Sequence, residues 1–94
     1  MQIVWDPAKA ARNPVEHDGV TFQDASTALD DPYALVSEDG EVKGEQRFKL
    51  LGTSASGRIL VVVYSYRERP EEIRIISAWK ATGPARERYE QKRR

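Results

Sequence analysis

The second half of the chain is rich in basic and aromatic residues at strand-like positions: Arg47, Lys49, Tyr64, Tyr66, Arg67, Arg74 and Lys80. Such a set suits RNA. Guanidinium groups hold a phosphate and stabilise the charge of its pentavalent transition state. Aromatic rings stack on splayed bases. The RNA 2′-hydroxyl is an internal nucleophile, so the protein needs only a proton acceptor, a proton donor and positive charge. His17 is the only histidine and the natural proton-transfer group by reference pKa. Tyr64 or a lysine would need a lowered pKa to share that work. This assigns Arg47, Tyr64, Arg67, Lys80 and His17 as candidate catalytic residues, and Lys49 and Arg74 as candidate RNA-binding residues.

Each of these residues also has an ordinary reading. His17 precedes Asp18-Gly19 and can simply brace a turn. Tyr64 ends an apolar run and can be packing. Arg74 lies between isoleucines and can bridge Glu72 on the surface. Arg47 and Lys49 can guard a sheet edge, and Trp79 is expected to cover the sheet. Other chemistries have less support. With no cysteine there is no thiolate metal site, disulfide or thiol nucleophile. Neither a phosphate-binding glycine loop nor a G-x-S-x-G elbow occurs. Asp30 and Asp31 sit against Pro32 in a helix-stop context, and no acidic spacing supports a metal site. We expect no cofactor.

The elements that must position these residues can be read in order. Gln2 to Trp5 is β-prone. Asp6-Pro7 starts a helix, with Asp as N-cap and Pro at the first helical position, and Asn13-Pro14 is expected to stop or kink it. His17-Asp18-Gly19 reads as a turn. Thr21 and Asp24 resemble a capping box ahead of a second helix whose Phe22, Ala25, Ala28 and Leu29 share a face. A short strand is expected at Tyr33 to Val36, followed by a turn at Asp39-Gly40. The next strand alternates Arg47, Lys49 and Leu51 with Phe48 and Leu50. After a turn at Ser56-Gly57, Arg58 to Tyr66 reads as a central strand covered on both faces. Arg67 to Pro70 is a charged turn, and Ile73 to Trp79 a further strand. Thr82 can cap a final helix from Ala85 to Arg94, with Gly83-Pro84 in its first turn. The order β-α-α-β-β-β-β-α implies an α+β fold: two N-terminal helices, a largely antiparallel sheet and a C-terminal helix.

The composition agrees. The 94 residues suffice for one domain, expected to span 1–94, and are 39% hydrophobic and 32% charged. The longest wholly apolar run, Ile59 to Tyr64, is far short of a membrane span, and no secretory signal is visible at the N-terminus. The net charge of zero hides a division. Residues 1–45 carry a net charge of −7 and residues 46–94 a net charge of +7. A basic face collects phosphates, although charge alone would equally describe a solvated surface.

The ordered pattern resembles the BrnT family. It comprises Trp5-Asp6-Pro7-Ala8-Lys9-Ala10 with Asn13, then His17, Gly19-Val20, Phe22, Ala25, Asp31-Pro32, Glu45 and Arg47. Gly52, Ser54, Gly57-Arg58, Leu60 to Val63, Arg67 and Arg74 to Ala78 complete it. The resemblance implies a RelE-like fold and a metal-independent endoribonuclease toxin of a bacterial type II toxin–antitoxin module, cytoplasmic and acting by RNA cleavage that arrests translation and growth. It implies a cognate antitoxin, usually of ribbon-helix-helix type, with DNA contacted only through that partner. The chain departs from the pattern in three places. Glu16-His17-Asp18-Gly19 replaces the usual Lys-His-Gly. Tyr64 stands where histidine is common, and Trp79 where arginine commonly follows Ser-Ala. The alternative is an interaction protein that binds its antitoxin and has weak or no catalysis.

Overall fold

The computed structural model describes residues 2–66 and 71–93. The turn expected at Arg67 to Pro70, and with it the candidate Arg67, lies outside the described residues. Strand β1 is Gln2–Trp5, helix α1 Pro7–Glu16 and helix α2 Phe22–Ala28. Strands β2 (Leu35–Val42), β3 (Glu45–Thr53), β4 (Ile59–Tyr66) and β5 (Glu72–Lys80) follow, and helix α3 is Gly83–Arg93. The sheet order is β1-β5-β4-β3-β2, with β1 parallel to β5 and the other pairs antiparallel. The architecture is therefore the α+β arrangement with a mostly antiparallel sheet.

Both N-terminal helices start where short polar side chains satisfy their first amides. The Asp6 carboxylate accepts from the Ala8 amide at 2.9 Å, and Thr21 Oγ1 from the Asp24 amide at 3.0 Å. Phe22, Ala25 and Ala28 of α2 are fully buried on one sheet face with Leu50, Leu60, Val62, Tyr64, Ile73, Ile75 and Ala78. Burying a side chain such as Phe22 stabilises the fold by about 1.5–3 kcal/mol. On the other face α3 packs Tyr89 against Leu51, Val61 and Ala81. Arg47, Ser65 and Arg74, farther along that face, lie outside the cluster under α3.

Two local expectations are corrected. Helix α1 does not stop at Asn13-Pro14 but runs through Pro14 to Glu16. Asn13 is buried, and its amide nitrogen donates to the carbonyls of Val20 and Ala78, each at 2.8 Å. Its oxygen accepts from the Ala78 amide at 3.3 Å. These tertiary bonds hold the residue before proline in a helix that local sterics disfavour. The second correction concerns β2. The strand does not turn at Asp39-Gly40, and it extends beyond the short segment expected at Tyr33 to Val36. Gly40, at φ 82°, lies in a bulge, and the hairpin closes at Lys43-Gly44, where φ is 51° and 80°. Two successive left-handed residues suit a two-residue hairpin turn, and this register sets Leu35 opposite Leu51 beneath α3.

The docking of α3 depends on a polar cluster. Asp31 accepts from the Thr53 amide at 2.8 Å, the Tyr33 amide at 2.9 Å and the Tyr89 hydroxyl. A Cβ at Gly52 would come within 3.1 Å of the Ala28 carbonyl and 3.3 Å of the Asp31 carboxylate, so any larger residue there would push α2 and the Asp31 carboxylate back by a few tenths of an ångström. Desolvation pushes the Asp31 carboxyl up, but the Thr53, Tyr89 and Tyr33 hydrogen bonds and the Arg93 charge outweigh it. Its pKa lies below the ordinary 3.8. A carboxyl depressed in the folded state contributes stability above its unfolded pKa and loses it as pH falls through the folded value. The urea midpoint should therefore drop on acidification below about pH 4. Asp31→Asn should be less stable at neutral pH and lose less on acidification. An equal acid loss in both proteins would remove Asp31 as its source.

Candidate functional site

The side chains of β3 alternate between the two faces. Phe48 and Leu50 enter the core under the N-terminal helices, while Glu45, Arg47, Lys49 and Leu51 face the side that α3 partly covers. Arg47 pairs across the sheet with Ser65 of β4, and Ser65 with Arg74 of β5. The three residues thus form one row across the open half of that face. Glu45 sits between the arginines. Its Oε1 is 2.5 Å from Arg74 Nη2 and 3.9 Å from Arg47 Nε, the second distance too long for a hydrogen bond. Arg74 therefore bridges Glu45 and not Glu72. Among the described residues, Arg47 Nε, Arg74 Nε and Ser65 Oγ are buried without a hydrogen-bond partner. Buried orphan donors are uncommon and each costs about 1–3 kcal/mol. All three lie in the one cross-strand row.

Lys49 lies farther along the same face. Its Nζ is 3.3 Å from Asp39 Oδ1 and 5.8 Å from the centre of the Trp79 ring. His17 is on a different element, at the end of α1, with its ring 5.9 Å from that of Trp79. His17, Lys80 and Trp79 line a shallow hollow of about 390 Å³ beside β5. Asn13 fixes this placement: β1 ends opposite Ile75, and the Asn13 amide takes over the free edge of β5 at Ala78. Arg47, Lys49, Arg74 and Trp79 therefore share a face, whereas Lys80, cross-strand from the core residue Leu60, points to the other face, where it and His17 line the hollow beside Trp79.

One irregularity makes this grouping possible. Val63 pairs with Ser77 but Tyr64 with Ile75, so Ile76 is an extra residue in β5. In a regular strand Arg74 and Trp79 would point to opposite faces. The bulge restores them to one face.

Tyr64 is set apart from this group. It is 5% exposed and belongs to the core under the N-terminal helices, stacked on Phe48 at 5.6 Å and edge-on to Tyr66 at 5.9 Å. Desolvation, with a smaller contribution from Tyr66, pushes its phenol up to about 12. That direction opposes a role as proton acceptor near neutral pH. Two residues of the open face, Glu45 and Ser65, were given no chemical role by the sequence reading. The signal for Glu45 was its shared strand parity with Arg47 and Lys49. Ser65, between Tyr64 and Tyr66, carried none.

Among the described residues no group of three or more His, Cys, Asp or Glu could hold a metal ion. Nor is any described helix long and apolar enough to cross a membrane.

Comparison with known proteins gives a consistent result. No curated protein matches the chain. Among solved structures, the fold is similar to the crystal structure of the Brucella abortus ribonuclease toxin BrnT. The TM-score is 0.61 at 21% identity, over 88% of this chain and 99% of that one. Residues 5–84 match the family model described as ribonuclease toxin, BrnT, of type II toxin–antitoxin system. Members of such systems act with a cognate antitoxin. On the strength of that match, which covers most of its length, the chain belongs to the BrnT family of ribonuclease toxins.

Proposed function

We propose that residues 1–94 form one RelE-like toxin domain that cleaves RNA internally without a metal ion, inhibits translation in the cytoplasm and is neutralised by its cognate antitoxin. The observation that supports this most directly is the cross-strand row Arg47–Ser65–Arg74, whose two guanidinium-bearing side chains stay partly exposed on either side of a buried serine. A phosphodiester seated there receives charge-assisted hydrogen bonds that strengthen as negative charge builds on phosphorus. Attack by the 2′-hydroxyl forms the 2′-oxygen–phosphorus bond and breaks the bond to the 5′-oxygen. The 2′-proton passes to a base, and the leaving oxygen takes a proton from an acid. Glu45 is the carboxylate nearest the arginines. His17 and Lys80 supply a second set of polar groups on the other side of Trp79 from this face. Lys49 adds positive charge on the face between the arginine row and Trp79. The antitoxin partner is of ribbon-helix-helix type, and DNA is reached only through it.

The test is direct. The purified chain, incubated with RNA in the presence of a metal chelator, should yield fragments ending in 2′,3′-cyclic phosphate and 5′-hydroxyl. Its induced expression should arrest growth, and co-expression of the adjacent gene's product should reverse the arrest. Intact RNA and normal growth with soluble, folded protein would replace this reading with that of an antitoxin-binding protein without catalysis.

A further inference from the structure

Trp79 is the wall between two hollows. On one side are His17 and Lys80. On the other is a larger groove of about 540 Å³, between the open sheet face and α3, floored by Leu35, Leu51 and Val61 and edged by Lys49 and Arg88. Its size is that of a small-ligand site. The ring is only partly buried, and the neighbouring elements leave this apolar space unfilled. Arg88 is exposed and makes no ion pair among the described residues.

We propose that this groove is a nucleobase subsite, in which an unpaired base of single-stranded RNA lies against the Trp79 indole while Lys49 and Arg88 hold its flanking phosphates. The inference rests on the RNA reading of this face and names the part of the substrate that the groove accepts. Three observations favour a base over an apolar side chain of a protein partner. The groove joins an aromatic surface to cations at its rim, the combination that single-stranded nucleic acid requires. It opens on the face that carries the Arg47–Ser65–Arg74 row, so one strand can place a phosphate in the row and a neighbouring base in the groove. Lys49 stands 5.8 Å from the ring centre and 3.3 Å from Asp39, a solvent-accessible ion pair that a phosphate can exchange as the base enters. Stacking discriminates little between bases, so the subsite anchors the strand and does not read its sequence.

The test uses a short 2′-O-methyl RNA oligonucleotide, which cannot be cleaved, and an abasic counterpart with the same backbone. The wild-type chain should bind the base-bearing strand more tightly. Trp79→Leu should weaken that strand by roughly 5- to 150-fold, the worth of one stacked base, and leave the abasic strand unchanged. Trp79→Phe, which keeps an aromatic face, should retain most of the affinity and shows whether a loss in the leucine variant reflects misfolding. Equal binding of both strands by the wild type would overturn the subsite and leave the phosphate row standing. Failure to bind either strand would remove the RNA reading of the face as well. If Trp79→Leu weakened only the complex with the antitoxin, the groove would be the partner's seat and the base subsite would be wrong.

Discussion

Arg47→Ala should lower the rate of RNA cleavage by about 10²–10³-fold while the protein stays folded. The argument starts from where the guanidinium sits. β3 carries it onto the open face, cross-strand from Ser65 and level with Arg74. Its Nε–H is buried and unpartnered among the described residues, and its nearest carboxylate is 3.9 Å away. A guanidinium held by the sheet with its side chain partly exposed is pre-organised for charge that appears only during reaction, and such donors act on kcat more than on KM. Removing it strands nothing, because Glu45 keeps its bond to Arg74, so the stability loss should stay near about 1 kcal/mol. Arg47→Lys should recover part of the rate, since lysine restores a charge but not the planar fork. Tyr64→Phe is the control on the other face. It deletes a hydroxyl that desolvation has made harder to ionise, and cleavage should be essentially unchanged. If the phenylalanine variant instead lost activity to the same degree as Arg47→Ala, with both proteins folded, catalysis would belong to the face under the N-terminal helices.

The contrast between Arg47 and Tyr64 shows how far the sequence could be read. Arg47, Lys49 and Leu51 alternate visibly with Phe48 and Leu50, so the faces of β3 were legible. The helix starts at Asp6 and Thr21 were legible because capping is a local matter of side-chain reach. The continuous apolar run of β4 announced burial on both faces, and that burial makes Tyr64 a packing residue before it is anything else. Three features were not legible. The bulge at Ile76 depends on pairing with β4, and without it Arg74 and Trp79 fall on opposite faces. The hairpin at Lys43-Gly44 prevailed over the stronger local signal at Asp39-Gly40 because register is decided by what Leu35 and Val36 meet on β3. The meeting of His17 with Trp79 needs α1 to continue past Pro14, which local sterics disfavour and a distant hydrogen bond supports.

That distant bond gives the largest expected effect on stability. Asn13→Leu should destabilise the fold by about 3–5 kcal/mol, a large part of the 5–15 kcal/mol typical of a domain. Asn13 is 4% exposed, and its side-chain amide makes three hydrogen bonds, to the Val20 carbonyl and to both backbone groups of Ala78. Leucine fills a similar volume, so the loss is of hydrogen bonding and not of packing. The edge of β5 beyond β1 would be left with buried, unpaired polar groups, each costing about 1–3 kcal/mol. Helix α1 would also lose the contact that holds it through Pro14, and fraying of its last turn would free His17 from Trp79. Two readouts should therefore move together. Chemical denaturation should show a lower midpoint with little change in slope, and the His17 resonances should lose the ring-current shift imposed by the indole. Asn13→Asp, which keeps the acceptor but not the donor, should also be destabilised, because the carbonyls of Val20 and Ala78 would face a carboxylate. A leucine variant as stable as the parent would mean that water reaches the β5 edge and that Asn13 is not what carries α1 past proline.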